Sequence, residues 1–137
     1  MLRRKQPNTV TRFIGYHRHY NKQNNVVYAS AFINDKNKRY GEISVYDIDE
    51  ELQNNNVDKI FSIGDKIYSN PPTPARADLL VSEIEKIKLD NENLFVETSL
   101  LPISKHCNIK PFPSDDSKAI AVALELAKIS TLHLRRI

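Results

Sequence analysis

The chain has 137 residues, 40% of them hydrophobic, with 20 Lys/Arg against 17 Asp/Glu and a formal net charge of +3. That length fits one domain able to bury roughly two-thirds of its unfolded surface, and that hydrophobic share excludes a wholly disordered chain. A lone cysteine, Cys107, excludes an intramolecular disulfide, the three glycines allow no Gly-rich phosphate loop, and no run nears the roughly eighteen apolar residues of a membrane helix.

Charge is sorted along the chain. Residues 1–45 hold nine Lys/Arg against two acidic residues, 46–100 hold five against twelve, and 101–137 hold six against three. Such sorting predicts a basic face and an acidic face, which orient encounters with charged partners. Near the N-terminus Arg3, Arg4 and Lys5 are followed by Gln6-Pro7-Asn8-Thr9. A secretory signal needs an apolar run there, so the expectation is a soluble, cytoplasmic protein with no membrane association.

Residues 1–10, polar and basic, read as a flexible basic arm, and 11–137 as a single domain. Asn21–Asn25 and Asn34–Lys38 are turn signals. The run Val26–Ile33 is rich in β-formers, and Glu42–Ile48 alternates polar and apolar residues. The two are expected to form an antiparallel hairpin, with Arg12–Tyr20 as a neighbouring strand. Val57, Ile60, Phe61 and Gly64 fall at helical spacing, with Asn54–Asn56 as a capping segment, so a helix follows. Gly64 weakens its interior and implies an early end or a close approach.

A Pro-rich connector covers residues 70–75. The segment 77–89 fits either a strand or a helix, with strand preferred, and Asp90–Asn93 is the turn of a second hairpin leading into Leu94–Thr98. The clearest helix runs from Ser114–Asp116, which caps it, through the apolar body ending at Ile129. Thr131–Leu134 alternates as a last strand. The expected fold is α+β: a mostly antiparallel sheet of about five to six strands with about two helices packed on it.

Chemistry concentrates in Phe13-Ile14-Gly15-Tyr16-His17-Arg18-His19-Tyr20. On a strand, Tyr16, Arg18 and Tyr20 share one side, a set suited to phosphate neutralisation and base stacking, or simply to core packing. His17 and His19 share the other, as a metal-ligating pair or as solvated side chains. The candidate binding set is Arg12, Tyr16, Arg18, Tyr20, Lys22, Lys36, Lys38 and Arg39, with Arg3, Arg4 and Lys5 added for a nucleic acid. His106 and Cys107 are adjacent and therefore point apart, which makes Cys107 a buried residue rather than a nucleophile. Asp47, Asp49, Glu50 and Glu51 read as a solvated helix start. Arg76 and Asp78 suit a local ion pair.

The leading functional expectation is a small non-enzymatic binding or accessory module. It would recognise a protein partner, or a second copy of itself, through a charge-segregated surface, with no cofactor. The first alternative is a nucleic-acid-binding protein that uses the basic aromatic N-terminal third. The second is a small metal-dependent enzyme using His17, His19, Asp47 and His106, which requires at least two of those histidines to converge in one cleft.

Overall fold

The computed structural model describes residues 6–67, 72–99 and 103–135. Strand β1 (Thr9–Ile14) is central because its side chains are needed on both faces of a sheet. Val10 and Ile14 are buried on one face and Phe13 on the other. A 3-10 turn (His17–His19) and a short ribbon, β2 (Tyr20–Asn21) with β3 (Val26–Val27), follow. Next come a second 3-10 turn (Ala29–Phe32), helix α1 (Asp35–Tyr40) and strand β4 (Ile43–Asp47). The helices α2 (Asp49–Gln53) and α3 (Asp58–Ile67) lead to β5 (Ala75–Leu80). The short α4 (Val81–Ile84), the ribbon β6 (Lys88–Leu89) with β7 (Glu92–Asn93), β8 (Phe95–Thr98) and β9 (His106–Lys110) precede α5 (Asp116–Ile129) and β10 (Thr131–Leu134).

Six of these strands form one antiparallel sheet in the order β10-β5-β1-β4-β9-β8. The α+β reading therefore holds, with α5 and α3 as the two longer helices on opposite faces. Helix α5 buries Ala119, Val122, Ala123 and Leu126, a single stripe at i, i+3, i+4 and i+7. Its alanines let the backbone lie close to the second 3-10 turn and to β5 in the main core. Asp115 caps it by accepting from the Lys118 amide, as the sequence predicted. Ile120 and Leu124, part of the apolar body of this helix, are exposed on its outer side.

Helix α3 covers the other face with Ile60, packed on Phe13, Tyr46 and Ile48. Gly64 is where it approaches β1 most closely. A Cβ there would sit 2.8 Å from Cδ1 of the buried Phe13 ring, so the glycine marks close packing rather than an early end. Arg135 clamps the end of α3 through a two-pronged pair with Asp65, at 2.8 and 2.7 Å. These contacts hold the Asp65 carboxyl well below its usual range, at about 2.

Four expectations are corrected. Val26–Ile33 is not a strand: only Val26 and Val27 pair, and the rest turns into 3-10 geometry, because Ala31 and Phe32 are both buried and no strand can bury two successive residues on one face. The expected hairpin with 42–48 is absent, since β4 pairs with β1 and β9. The Asn34–Lys38 turn is the start of α1, capped by Asn34 and closed by Gly41 at φ 71°. Residues 77–89 divide among β5, α4 and β6; the turn at Asp90–Asn91 closes only a short ribbon, and β8 pairs with β9.

Thr9 and Val10, read as part of the arm, belong to β1, whereas Arg3, Arg4 and Lys5 lie outside the described residues. The connector at 70–75 lies partly outside them as well, and Ala75 already opens β5. Among the described residues, no helix is long and apolar enough to cross a membrane.

Candidate functional site

The site begins where the sheet comes apart. Strand β1 pairs with β5 from Thr9 to Ile14, but with β4 only at Val10–Asp47 and Thr11–Tyr46. Arg12 fills the gap beyond. Its Nη1 donates to the Ser44 carbonyl at 2.9 Å and its Nε to the Ala31 carbonyl at 3.1 Å. A guanidinium thus substitutes for missing ladder bonds, since a buried carbonyl without a donor is costly.

After Ile14 the chain cannot continue as strand. Tyr16 has extended backbone angles, and the His19 amide donates back to the Tyr16 carbonyl at 3.1 Å, forming the 3-10 turn. The expected alternation of Tyr16, Arg18 and Tyr20 along a strand is therefore lost. Tyr20 enters β2 and is buried, its hydroxyl 2.7 Å from His17 Nδ1. Burial raises the Tyr20 pKa. Tyr16 is 59% exposed, and the Arg18 guanidinium stands over its ring at 4.8 Å. Asn21 shapes the following turn by accepting from the amides of Gln23 and Asn24. Lys22 is exposed on that turn.

Between this loop and the second 3-10 turn lies a cavity of about 350 Å3. Its polar lining comes from Arg12, Arg18, His19, Ser30, Asn34 and Thr73, and none of its twelve lining residues is acidic. His19 Nδ1 lies 2.7 Å from Ser30 Oγ. Burial lowers the His19 pKa, and the neighbouring positive charges of Arg18 and Arg12 lower it further. Thr73 is fixed by its amide, which donates to Asp65 at 3.0 Å, and its buried side chain also helps hold that carboxylate ionised.

The structure thus gathers Arg12, Tyr16 and Arg18 of the predicted binding set around one cavity. Lys22 and Tyr20 line a separate shallow cleft with His17. Lys36, Lys38 and Arg39 ride on α1, which leaves from Asn34 at the cavity rim. Lys38 is tied to Asp116 at 2.9 Å, and that hydrogen bond raises its pKa. Lys36 and Arg39 are exposed. Ser30, Asn34 and Thr73 were missed. Ser30 lay inside a run read as strand, Asn34 inside a turn signal, and Thr73 in the connector.

The histidines of the enzyme reading do not gather. His19 faces the cavity with Arg18, His17 pairs with Tyr20, and His106 Nε2 lies 3.1 Å from Ser44 Oγ in a third cleft. Asp47 accepts from the Asp49 amide at the far end of β1. Among the described residues, no group of three or more His, Cys, Asp or Glu is placed to hold a metal ion. Cys107 is buried in the main core while His106 packs on Tyr46 across the sheet, as their adjacency on a strand requires.

The acidic residues behave differently. Asp49 accepts from the amides of Asn8 and Thr9, and Lys105 bridges Glu50 and Glu51 at 3.2 and 2.9 Å. Burial pulls the Lys105 pKa down, but its hydrogen bonds to Glu51 and Glu50 outweigh that and hold it raised. Arg76 and Asp78 form the expected ion pair at 3.1 Å, buried beside Thr11, whose hydroxyl donates to Asp78 at 2.7 Å.

Compared with known protein families, with curated protein sequences and with solved structures, the chain matches none.

Proposed function

We propose that the protein is a small non-enzymatic binding module that takes single-stranded nucleic acid at the loop end of β1. The observation that carries this reading is the cavity lining: two guanidinium groups and an imidazole with no acidic residue among them. Elsewhere Lys105, Lys110, Lys118 and Arg135 each meet a carboxylate. Arg18 and Lys22 have no such partner among the described residues.

Phosphate contacts supply most sequence-independent affinity, and unstacked bases pack on exposed aromatic rings. Tyr16 supplies the ring, and its Arg18 partner supplies a charge held over it. A cavity suits a splayed nucleotide of a single strand better than the smooth edge of a duplex.

The test is fluorescence anisotropy with labelled single- and double-stranded DNA and RNA at roughly 50 and 200 mM salt. Single-strand binding that weakens steeply across that range is the expected result. No binding at the lower salt would defeat the reading.

A protein partner or a second copy of the chain is the other reading, and a different surface favours it. On α5, Ile120 and Leu124 sit one turn apart and are 49% and 54% exposed. Light scattering over a concentration series, with Ile120→Lys and Leu124→Lys together as the control, is expected to show association lost in the variant. A monomer at every concentration, with no companion retained from the native cell, would defeat it.

A further inference from the structure

We infer that the cavity at the end of β1 is a site for a phosphomonoester, either the terminal phosphate of a nucleic-acid strand or that of a free nucleotide. This rests on the nucleic-acid reading and narrows it to one chemical group.

The argument is an inventory of donors. Arg12 uses Nε and Nη1 on the Ala31 and Ser44 carbonyls, which leaves Nη2 of its fork uncommitted among the described residues. Among the described residues Arg18 is held only by the Tyr16 ring, so its guanidinium edge is open. His19 has Nδ1 against the Ser30 hydroxyl; with that hydroxyl donating, Nε2 carries the proton and becomes a donor. The Asn34 side-chain oxygen accepts from the Asn37 amide, so its NH2 group remains. Thr73 lines the same space with a hydroxyl on a residue only 2% exposed. Every polar group left over at this site can donate.

A carboxylate would be satisfied by a single two-pronged arginine. This cavity offers two guanidinium groups and further donors around one space, which matches an anion with three oxygens and a charge near −2. A phosphodiester carries a single charge and has two of its four oxygens esterified, so a terminal monoester uses the set more fully. The volume of about 350 Å3 lies at the small end of ligand cavities, whose range is roughly 300–1,000 Å3. Ile14, Ala31 and Ile33 give it an apolar wall against which a sugar or base can rest.

Two measurements on the full chain test this. The first compares one oligonucleotide bearing a 5′-phosphate, a 3′-phosphate or hydroxyls at both ends. One phosphorylated end is expected to bind about tenfold more tightly, as a well-placed charge-assisted contact allows. Arg18→Gln is expected to remove most of that preference. Its side chain is exposed, so folding is not at stake, and Thr73→Val tests the buried hydroxyl without changing charge. The second follows the His19 ring by NMR while inorganic phosphate, then adenosine monophosphate, is added. The His19 pKa is expected to rise as the anion offsets Arg18 and Arg12.

Equal affinity for all three oligonucleotides, together with an unmoved His19, would overturn the phosphomonoester site and leave strand binding standing. Adenosine monophosphate moving His19 with no oligonucleotide bound would support the site as one for free nucleotide and overturn the strand reading.

Discussion

The two ends of β1 carry opposite charges and dispose of them in opposite ways. At its start, Asp49 caps the amides of Asn8 and Thr9, Asp47 accepts from the Asp49 amide, and Glu50 and Glu51 share Lys105. At its end, roughly 20 Å away for six strand residues, Arg18 and Lys22 meet no carboxylate among the described residues, and Arg12 faces a cavity with no acidic lining. The acidic end is closed on itself as structure. The basic end is held in shape by neutral backbone groups, which leaves its charge free to act on something outside the chain. The contrast teaches that net charge along a sequence says little until one asks which charges are already answered within the fold.

The largest expected effect breaks the basic end. Replacing Arg12 with Ala strips the Ala31 and Ser44 carbonyls of their donors in the gap between β1 and β4. Each such group costs about 1–3 kcal/mol when water does not replace the donor. The expected loss is about 2–3 kcal/mol in urea unfolding. A loss below about 0.5 kcal/mol, the level of an ordinary surface change, would mean that Arg12 is a ligand group only and that the gap is stable without it. Asp49→Ala probes the other end. It releases two amides that are close to solvent, so water recovers part of the loss and about 1 kcal/mol is expected. Cleavage near Asn8 in limited proteolysis should quicken in step. An unchanged midpoint and cleavage pattern would remove the claim that the acidic end is structural.

How far this contrast was legible in the sequence depends on whether the deciding contacts are local. Helix α5 was readable because its stripe of Ala119, Val122, Ala123 and Leu126 and its Asp115 cap lie within one segment. β10 followed from its alternation. Val26–Ile33 was misread because its β-rich composition gave way to tertiary burial of two successive residues. The partners of β4 were invisible because they come from far along the chain. The charge blocks were legible as blocks. Their placement at opposite ends of β1 follows from the Val10–Asp47 pairing, which sets the acidic segment after β4 beside the start of β1. Arg12 and Arg18 looked equivalent in sequence. Only the missing ladder between β1 and β4 makes one a structural donor and the other an open cation.

That distinction can be sharpened. Arg18→Ala should change stability by less than about 0.5 kcal/mol, because its side chain stands in solvent. Its effect belongs in binding. Removing one phosphate contact flattens the dependence of log affinity on log salt by about 0.7 for a single strand. Lys22→Ala is expected to do the same. If either variant unfolds the protein, or leaves the salt slope untouched, the open end of β1 is not where charge is used.

The smallest expected effect reads the field of the basic end from within. Burial lowers the His19 pKa below 6.5, and Arg18 and Arg12 lower it further. The native state therefore resists a proton that the unfolded chain accepts, and stability rises with pH wherever the unfolded state binds more protons. The His19 contribution is fully present above pH 6.5 and is lost as pH falls from there toward the lowered native value. Urea unfolding at pH 7.5 and pH 5.5 should show a greater loss on acidification for the native chain than for His19→Gln. The glutamine keeps a hydrogen-bonding group beside Ser30 but cannot take up charge, so the subtraction cancels the contributions of the rest of the chain. Added phosphate should shrink the difference, because an anion beside Arg12 and Arg18 lets His19 accept its proton in the native state. An equal loss in both proteins would mean that neither burial nor the two guanidinium groups act on His19, and that the basic end is screened rather than open.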